Sequence, residues 1–149
     1  MSGRESSISC GNTEQARLLF QAVDHRDSAQ VMAIYAENIV INEAPSLPYG
    51  GEYRGLEGAL RHGMGFRAAW DAFQRGKTRG LEPRFIAQGD HVIVVWHHEA
   101  ENSQTGQRID LPAVSVYRFV DGKIAESRMF HFDTAALLRF LGSPAASAG

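Results

Sequence analysis

From Glu82 onward the chain reads almost wholly as strand, and this limits its fold more than any other feature. Glu82 to Gln88 is one segment, Gly89-Asp90 turns it, and His91 to Glu101 follows with the run Val92-Ile93-Val94-Val95-Trp96. Ser103 to Gly106 turns the chain again. Arg108 to Val120 is a long strand, and Asp121-Gly122 is a hairpin signal before Lys123 to Phe132. Strands joined by tight turns pair antiparallel, and the apolar face of their sheet must be covered by another layer.

The first half supplies that layer. Asn12 with Gln15 resembles a capping box, and Ala16, Leu19, Phe20 and Val23 then recur at helical spacing. Asp27 with Gln30 repeats the cap signature ahead of Val31, Ile34 and Tyr35. A short strand is predicted over Ile39 to Asn42, and Ala44-Pro45-Ser46-Leu47-Pro48-Tyr49-Gly50-Gly51 reads as loop. A third helix is predicted over Leu56 to Phe73. Leu56, Leu60, Met64 and Phe66 or Trp70 form its apolar face, weakened by Gly58, Gly63 and Gly65. Asp133 caps a last helix, Thr134 to Leu141. The order argues α+β, with a cavity between curved strands and helices. One domain is expected over 12–142, with flexible ends at 1–11 and 143–149.

Composition narrows the function classes. The 149 residues suit one domain, and 44% of them are hydrophobic. Basic and acidic side chains number 15 and 17, with no basic stripe carrying interleaved aromatics, so nucleic acid is not an expected partner. Apolar runs fall short of a membrane span. The single Cys10 excludes an internal disulfide and any thiolate metal site, and the polar Met1–Cys10 stretch has no signal-peptide core. A cytoplasmic location follows as an expectation.

Three segments carry a family resemblance. They are Val23-Asp24 with Asp27; Pro45-Ser46-Leu47-Pro48-Tyr49-Gly50-Gly51-Glu52-Tyr53-Arg54-Gly55; and Asp121-Gly122-Lys123-Ile124, Phe132-Asp133, Leu137-Leu138 and Leu141-Gly142. Together they resemble SnoaL-like proteins of the nuclear-transport-factor-2-like superfamily over nearly the whole domain. Relatives include ketosteroid isomerase, limonene-epoxide hydrolase, scytalone dehydratase and polyketide cyclases. The resemblance implies a cone-shaped α+β barrel, a curved, mostly antiparallel sheet around an apolar pocket, and a homodimer. Val116 and Phe119 are candidates for its interface. The fold hosts many chemistries, so it does not name one.

Alternation along the strands then selects candidates. Laid beside the hydrolase through Thr105-Gly106, its Arg-x-Asp positions fall on Trp96 and His98, which places both inward. Trp96 would be a wall, and His98 a group suited to proton transfer near neutral pH, with His97 the weaker candidate. Glu43 stands where ketosteroid isomerase has its general base, and desolvation at a cavity mouth would raise its pKa; Asn42 takes the role if the register slips. His131 enters the pocket in one register of the last strand and sits at the sheet edge in the other. Met129 or Phe130 falls where the hydrolase has a second acid. Leu111, Ala113 and Ser115 are the inward candidates of the long strand, and Asp110 could orient a histidine. Asp24 matches a histidine-orienting aspartate of scytalone dehydratase, with a structural role as the plainer reading. Tyr35, Tyr49, Tyr53, Trp70 and Phe73 are candidates for the cavity wall.

Departures from the relatives matter too. Leu19 replaces the isomerase's oxyanion tyrosine, Pro112 or an apolar neighbour replaces its aspartate, and the hydrolase's acids and arginine are absent. His97-His98 and His97-x-Glu99 make no convincing metal site, so neither metal nor cofactor is expected. The favoured function is cofactor-free acid–base catalysis of the isomerase, cyclase or dehydratase type on an apolar carbonyl-bearing molecule. Glu43 would act as base, with His98 as its partner. The alternatives are a noncatalytic ligand-binding protein and an epoxide hydrolase.

Overall fold

The structure, a computed structural model of the chain, describes residues 3–74 and 79–142. Helix α1 spans Gly3–Asp24, α2 Ser28–Ile34, and α3 Gly55–Trp70, which a single 3-10 turn, Asp71–Phe73, extends. Strands are β1 Tyr35–Glu43, β2 Gly51–Arg54, β3 Arg84–Gln88, β4 His91–Glu101, β5 Arg108–Val120 and β6 Lys123–His131, and α4 is Thr134–Leu141. The six strands form one sheet in the order β2-β1-β6-β5-β4-β3. Only the β1–β6 pair is parallel among the described strands. This is an α+β cone, its sheet left unclosed between β2 and β3.

Local chemistry sets the element ends. Asp27 and Asp133 accept from the backbone N–H groups of Gln30 and Ala136, at 3.1 and 2.9 Å, and so start α2 and α4. Asp121 and Gly122 have φ of 49° and 78°, the paired positive values of a type I′ turn whose twist matches the flanking strands.

Several boundaries differ from the sequence reading. Helix α1 begins at Gly3, not near Asn12, so 3–11 are helical; residues 1–2 and 143–149 lie outside the described residues. Ser7 and Thr13 bond back to the carbonyls of Gly3 and Ser9, so hydroxyls that could end a helix are spent inside it. Tyr35 opens β1 opposite Ile124 and does not close α2. Gly51–Arg54, too short to show alternation, pairs with β1 from Glu43↔Gly51 to Val40↔Arg54. Strand β3 starts at Arg84 because Glu82 takes a left-handed φ of 45°.

The face of α3 is the larger correction. Leu56, Leu60 and Met64 are exposed, Met64 to 61%, while Gly58, Ala59, His62 and Trp70 are buried. Glycine lets this face approach closely: a Cβ on Gly65 would stand 2.9 Å from Cβ of Tyr49. Phe119 is likewise buried at 3%, sharing the inward parity of Ser115 and Tyr117, so it is no interface residue.

Two apolar clusters fill the interior. One joins Leu19, Phe20, Ile34 and Ile41 to Val94 and Trp96; the other joins Leu47, Tyr49 and Trp70 to Leu137 and Phe140. Phe140 is 1% exposed and lies 4.9 Å from Phe73. Phe140→Ala should therefore cost about 3–5 kcal/mol in denaturant unfolding, against about 0.5 or less for Met64→Ala. Equal losses would contradict this packing.

Candidate functional site

The inward rows of three strands bring titratable groups together. Glu43 ends β1 on the same face as Ile41, His98 faces inward from β4 with Trp96, and His131 ends β6 on the face of Met129. Ala113 on β5 is opposite both Trp96 and His131. With only a methyl group at that position, side chains from β4 and β6 can meet across β5. His98 Nε2 and His131 Nδ1 are 3.2 Å apart, with ring centroids at 5.1 Å.

Glu43 is the centre of this chain of contacts. Its Oε1 accepts from His131 Nε2 at 2.7 Å and from the Ala44 backbone at 3.1 Å. Its Oε2 accepts from His62 Nε2, on α3, at 3.1 Å. Burial alone would raise the pKa of Glu43, but the bonds and charges of His131 and His62 outweigh it and hold the carboxyl at about 2. The expected raised pKa at a cavity mouth is thus reversed. Glu43 and His98 do not meet; His131 stands between them. His98 is lowered to about 3 by burial and then by His131, against a weaker opposing pull from Glu43, so it is a neutral imidazole. Its ring stacks on Trp70 at 4.6 Å and 15°.

An ionised carboxylate only accepts, so Nε2 of both His62 and His131 carries a proton. In neutral His62 this leaves Nδ1 as a lone pair. No partner for that nitrogen is found among the described residues.

A cavity of about 130 Å³ lies between the helices and the sheet. Leu19, Phe20 and Val23 of α1 line it, with Val31 and Met32 of α2, His62, Phe66 and Arg67 of α3, and Trp96, Ser115, Tyr117 and Met129 of the sheet. Tyr35, Trp96 and Met129 are therefore on its wall. Glu43, His98 and His131 lie behind that wall, and His62 is the member of the chain that reaches it. Tyr49, Trp70 and Phe73 belong to the second cluster, and Leu111 packs against it. Tyr49 accepts from Trp70 Nε1 at 2.8 Å, and the Tyr53 hydroxyl donates to the Tyr49 carbonyl at 3.0 Å. These residues, and Ala113 in the first cluster, are support and not wall.

His62 escaped the sequence reading because the exposed leucines of α3 carried the more obvious periodicity. The spacing Ala59, His62, Trp70, with the neighbouring glycines, is the signal that marks the buried side. Asp110 pairs with His97 at 2.8 Å at the surface, and Asp24 accepts from the Arg79 backbone N–H at 2.7 Å, a structural role. Among the described residues no three His, Cys, Asp or Glu side chains converge as a metal-ligand set. No helix among them is long and apolar enough to cross a membrane.

The family model for the SnoaL-like domain matches residues 16–127. The chain belongs to the SnoaL-like family. Solved structures share its fold. TerC, co-crystallised with polyporic acid, has a TM-score of 0.75 at 21% identity, covering 89% of this chain and 99% of its own. A nuclear-transport-factor-2-like protein of unknown function from Burkholderia pseudomallei K96243 gives 0.76 at 22%, covering 89% and 98%. A protein provisionally named a SnoaL-like polyketide cyclase, from Jannaschia sp. CCS1, gives 0.71 at 21%, covering 92% and 95%. Comparison with curated protein sequences gives no match.

The buried groups of this SnoaL-like protein should make it acid-labile in two stages. The unfolded chain protonates its histidine near 6.5 while folded His98 resists to about 3, so stability falls as pH drops below 6.5. Folded Glu43 stays ionised to about 2 against 4.5 unfolded, so its contribution is lost between those values. Urea titrations should show both legs. His98→Phe should flatten the upper one and Glu43→Gln the lower. Unchanged pH profiles in both variants would refute the assignment.

Proposed function

We propose that this SnoaL-like protein is a cofactor-free acid–base enzyme acting on a small, largely apolar molecule with a carbonyl group, and that His62 is its base. The supporting observation is the pairing of His62 Nε2 with buried Glu43 while His62 lines an apolar cavity. Glu43 fixes the tautomer and would stabilise the imidazolium formed when Nδ1 takes a proton from carbon. The electron pair left behind moves to the carbonyl oxygen. Tyr35 and Tyr117 line the same cavity, and burial pushes both hydroxyls far above the ordinary tyrosine range, with the proximity of Tyr35 raising Tyr117 further. They remain protonated and would donate to that oxyanion. His131 is a positioning residue that holds Glu43 from the side away from the cavity, and His98 backs His131. The co-crystallisation of TerC with polyporic acid supports a small organic occupant.

The test needs no natural substrate. 5-Nitrobenzisoxazole reports a base in an apolar pocket: loss of its ring C–H proton breaks the N–O bond and releases a coloured cyanophenolate. His62→Ala should lower that rate roughly 100-fold or more, the usual contribution of a positioned base. Glu43→Gln should lower it less. Equal rates for the parent protein and His62→Ala would leave a ligand-binding protein as the better reading.

The outer sheet face supports the homodimer reading. Ile86 pairs with Ile93, and Ile93 with Val116; Val95 pairs with Val114, and Val114 with Phe130. Ile86 and Phe130 are 59% and 55% exposed, a contiguous apolar face that a second copy would cover. Phe130→Asp should halve the sedimentation mass; a monomeric parent protein would end this reading. The exposed lone Cys10 accords with a reducing cytoplasm.

A further inference from the structure

One end of the cavity is cationic. Arg26, Arg67 and Arg79 all line it, with Asp27 as the acid on the same wall. Asp27 caps α2 through the Gln30 N–H and is exposed to solvent. Arg79 is committed elsewhere. Its guanidinium bonds to Asp71 at 2.6 Å, the Val23 carbonyl at 3.2 Å and the Gln74 side chain, and it lies over the Phe66 ring. The same Asp71 oxygen is 3.6 Å from Arg26, so one carboxylate serves two arginines. Arg67 donates to the Arg26 carbonyl at 2.8 Å and has no carboxylate partner among the described residues. Arg26 takes a left-handed conformation, φ 61°, in the turn between α1 and α2, where the Arg26 and Asp27 N–H groups donate back to the Val23 and Ala22 carbonyls. The Arg67 guanidinium is thus held against the Arg26 backbone at an apolar hollow that both residues line. An anion beside Arg67 would gain charge-assisted hydrogen bonds.

We infer that Arg67, backed by Arg26, binds an anionic group of the ligand, so that the cavity takes an apolar carboxylate in preference to its neutral analogue. This rests on the reading of His62 only for where the chemistry occurs. Arg67 follows His62 by five residues on α3, so their attachment points are separated by roughly 7.5 Å along the helix axis. The substrate is then a molecule with its acid group at one end and its reacting C–H at the other, a ring or two apart.

Calorimetric titration with 2-naphthoate and with the neutral, similarly shaped 2-naphthamide tests this. The parent protein should bind the naphthoate about tenfold more tightly, the scale of one charge-assisted contact. Arg67→Gln should abolish that preference and leave naphthamide affinity within about twofold, while Arg67→Lys retains most of it. Should Arg67→Gln lose both ligands, Arg67→Lys decides: a kept preference supports the site and a lost one overturns it. Equal affinities in the parent protein, binding of neither ligand, or a preference that survives Arg67→Gln would also overturn it. His62→Ala should keep the preference while losing base activity, so failure of the base reading and failure of this one give different results.

Discussion

A carboxylate buried between a sheet and a helix is the constraint on which the site depends. Glu43 is 4% exposed, and an ionised group there would cost several kcal/mol if left unpaired. Three N–H groups satisfy it, from His131 on β6, His62 on α3 and the Ala44 backbone. Each comes from a different segment, so the charge ties helix to sheet at one point. Loss of a single partner would leave a buried charge with too few donors, which is far more costly than never having had the pair. The same bonding fixes the Nε2–H tautomer of both rings, and thereby decides which nitrogen of His62 is basic.

The tether also divides the interior. On one side Trp70, Tyr49 and Phe140 form a solid cluster, against which His98 stacks. On the other lies the hollow between α1, α2, α3 and the sheet. Trp96 belongs to both sides: it lines the hollow, sits 4.5 Å from the His98 ring, and donates to Ser115 at 2.9 Å. A polar chain sealed from solvent and touching the hollow at one histidine is how a low-dielectric site keeps its electrostatics strong while presenting a single reactive edge.

Strand alternation made much of this legible. The inward placement of Trp96, His98, Ala113 and Ser115 follows from residue parity in β4 and β5, and the position of Glu43 from the end of β1. Parity cannot say how far a side chain reaches or what stands between two that share a face, so His131 as the bridge between Glu43 and His98 was beyond it. The helix was harder. A pattern of Leu56, Leu60 and Met64 is indistinguishable by periodicity from a core face, yet those side chains are exposed and the first two of the cavity-lining residues Leu60, Met64 and His62 sit at its rim. Small residues admit close packing where large ones cannot, and Gly58 and Gly65 lie on the side that approaches 49–53. The capping signature at Asn12 failed for a different reason: a cap signal shows where a helix can begin, and α1 continues through it.

The register of β6 joins the wall to the charge. Met129 lines the cavity and His131 grips Glu43, two residues apart on one face, opposite Ser115 and Ala113. A slip of one residue would turn both outward and bring Arg128 and Phe130 into the interior, placing a cation and a bulky ring where an imidazole and a thioether now fit. Two features hold the register. The Asp121-Gly122 turn starts the strand, and the irregularity between Arg118 and Phe119 absorbs the residue that keeps inward parity on both sides of it. The hairpin turn thus helps determine whether the buried carboxylate has its second histidine, and so whether the first is held in the form a base requires.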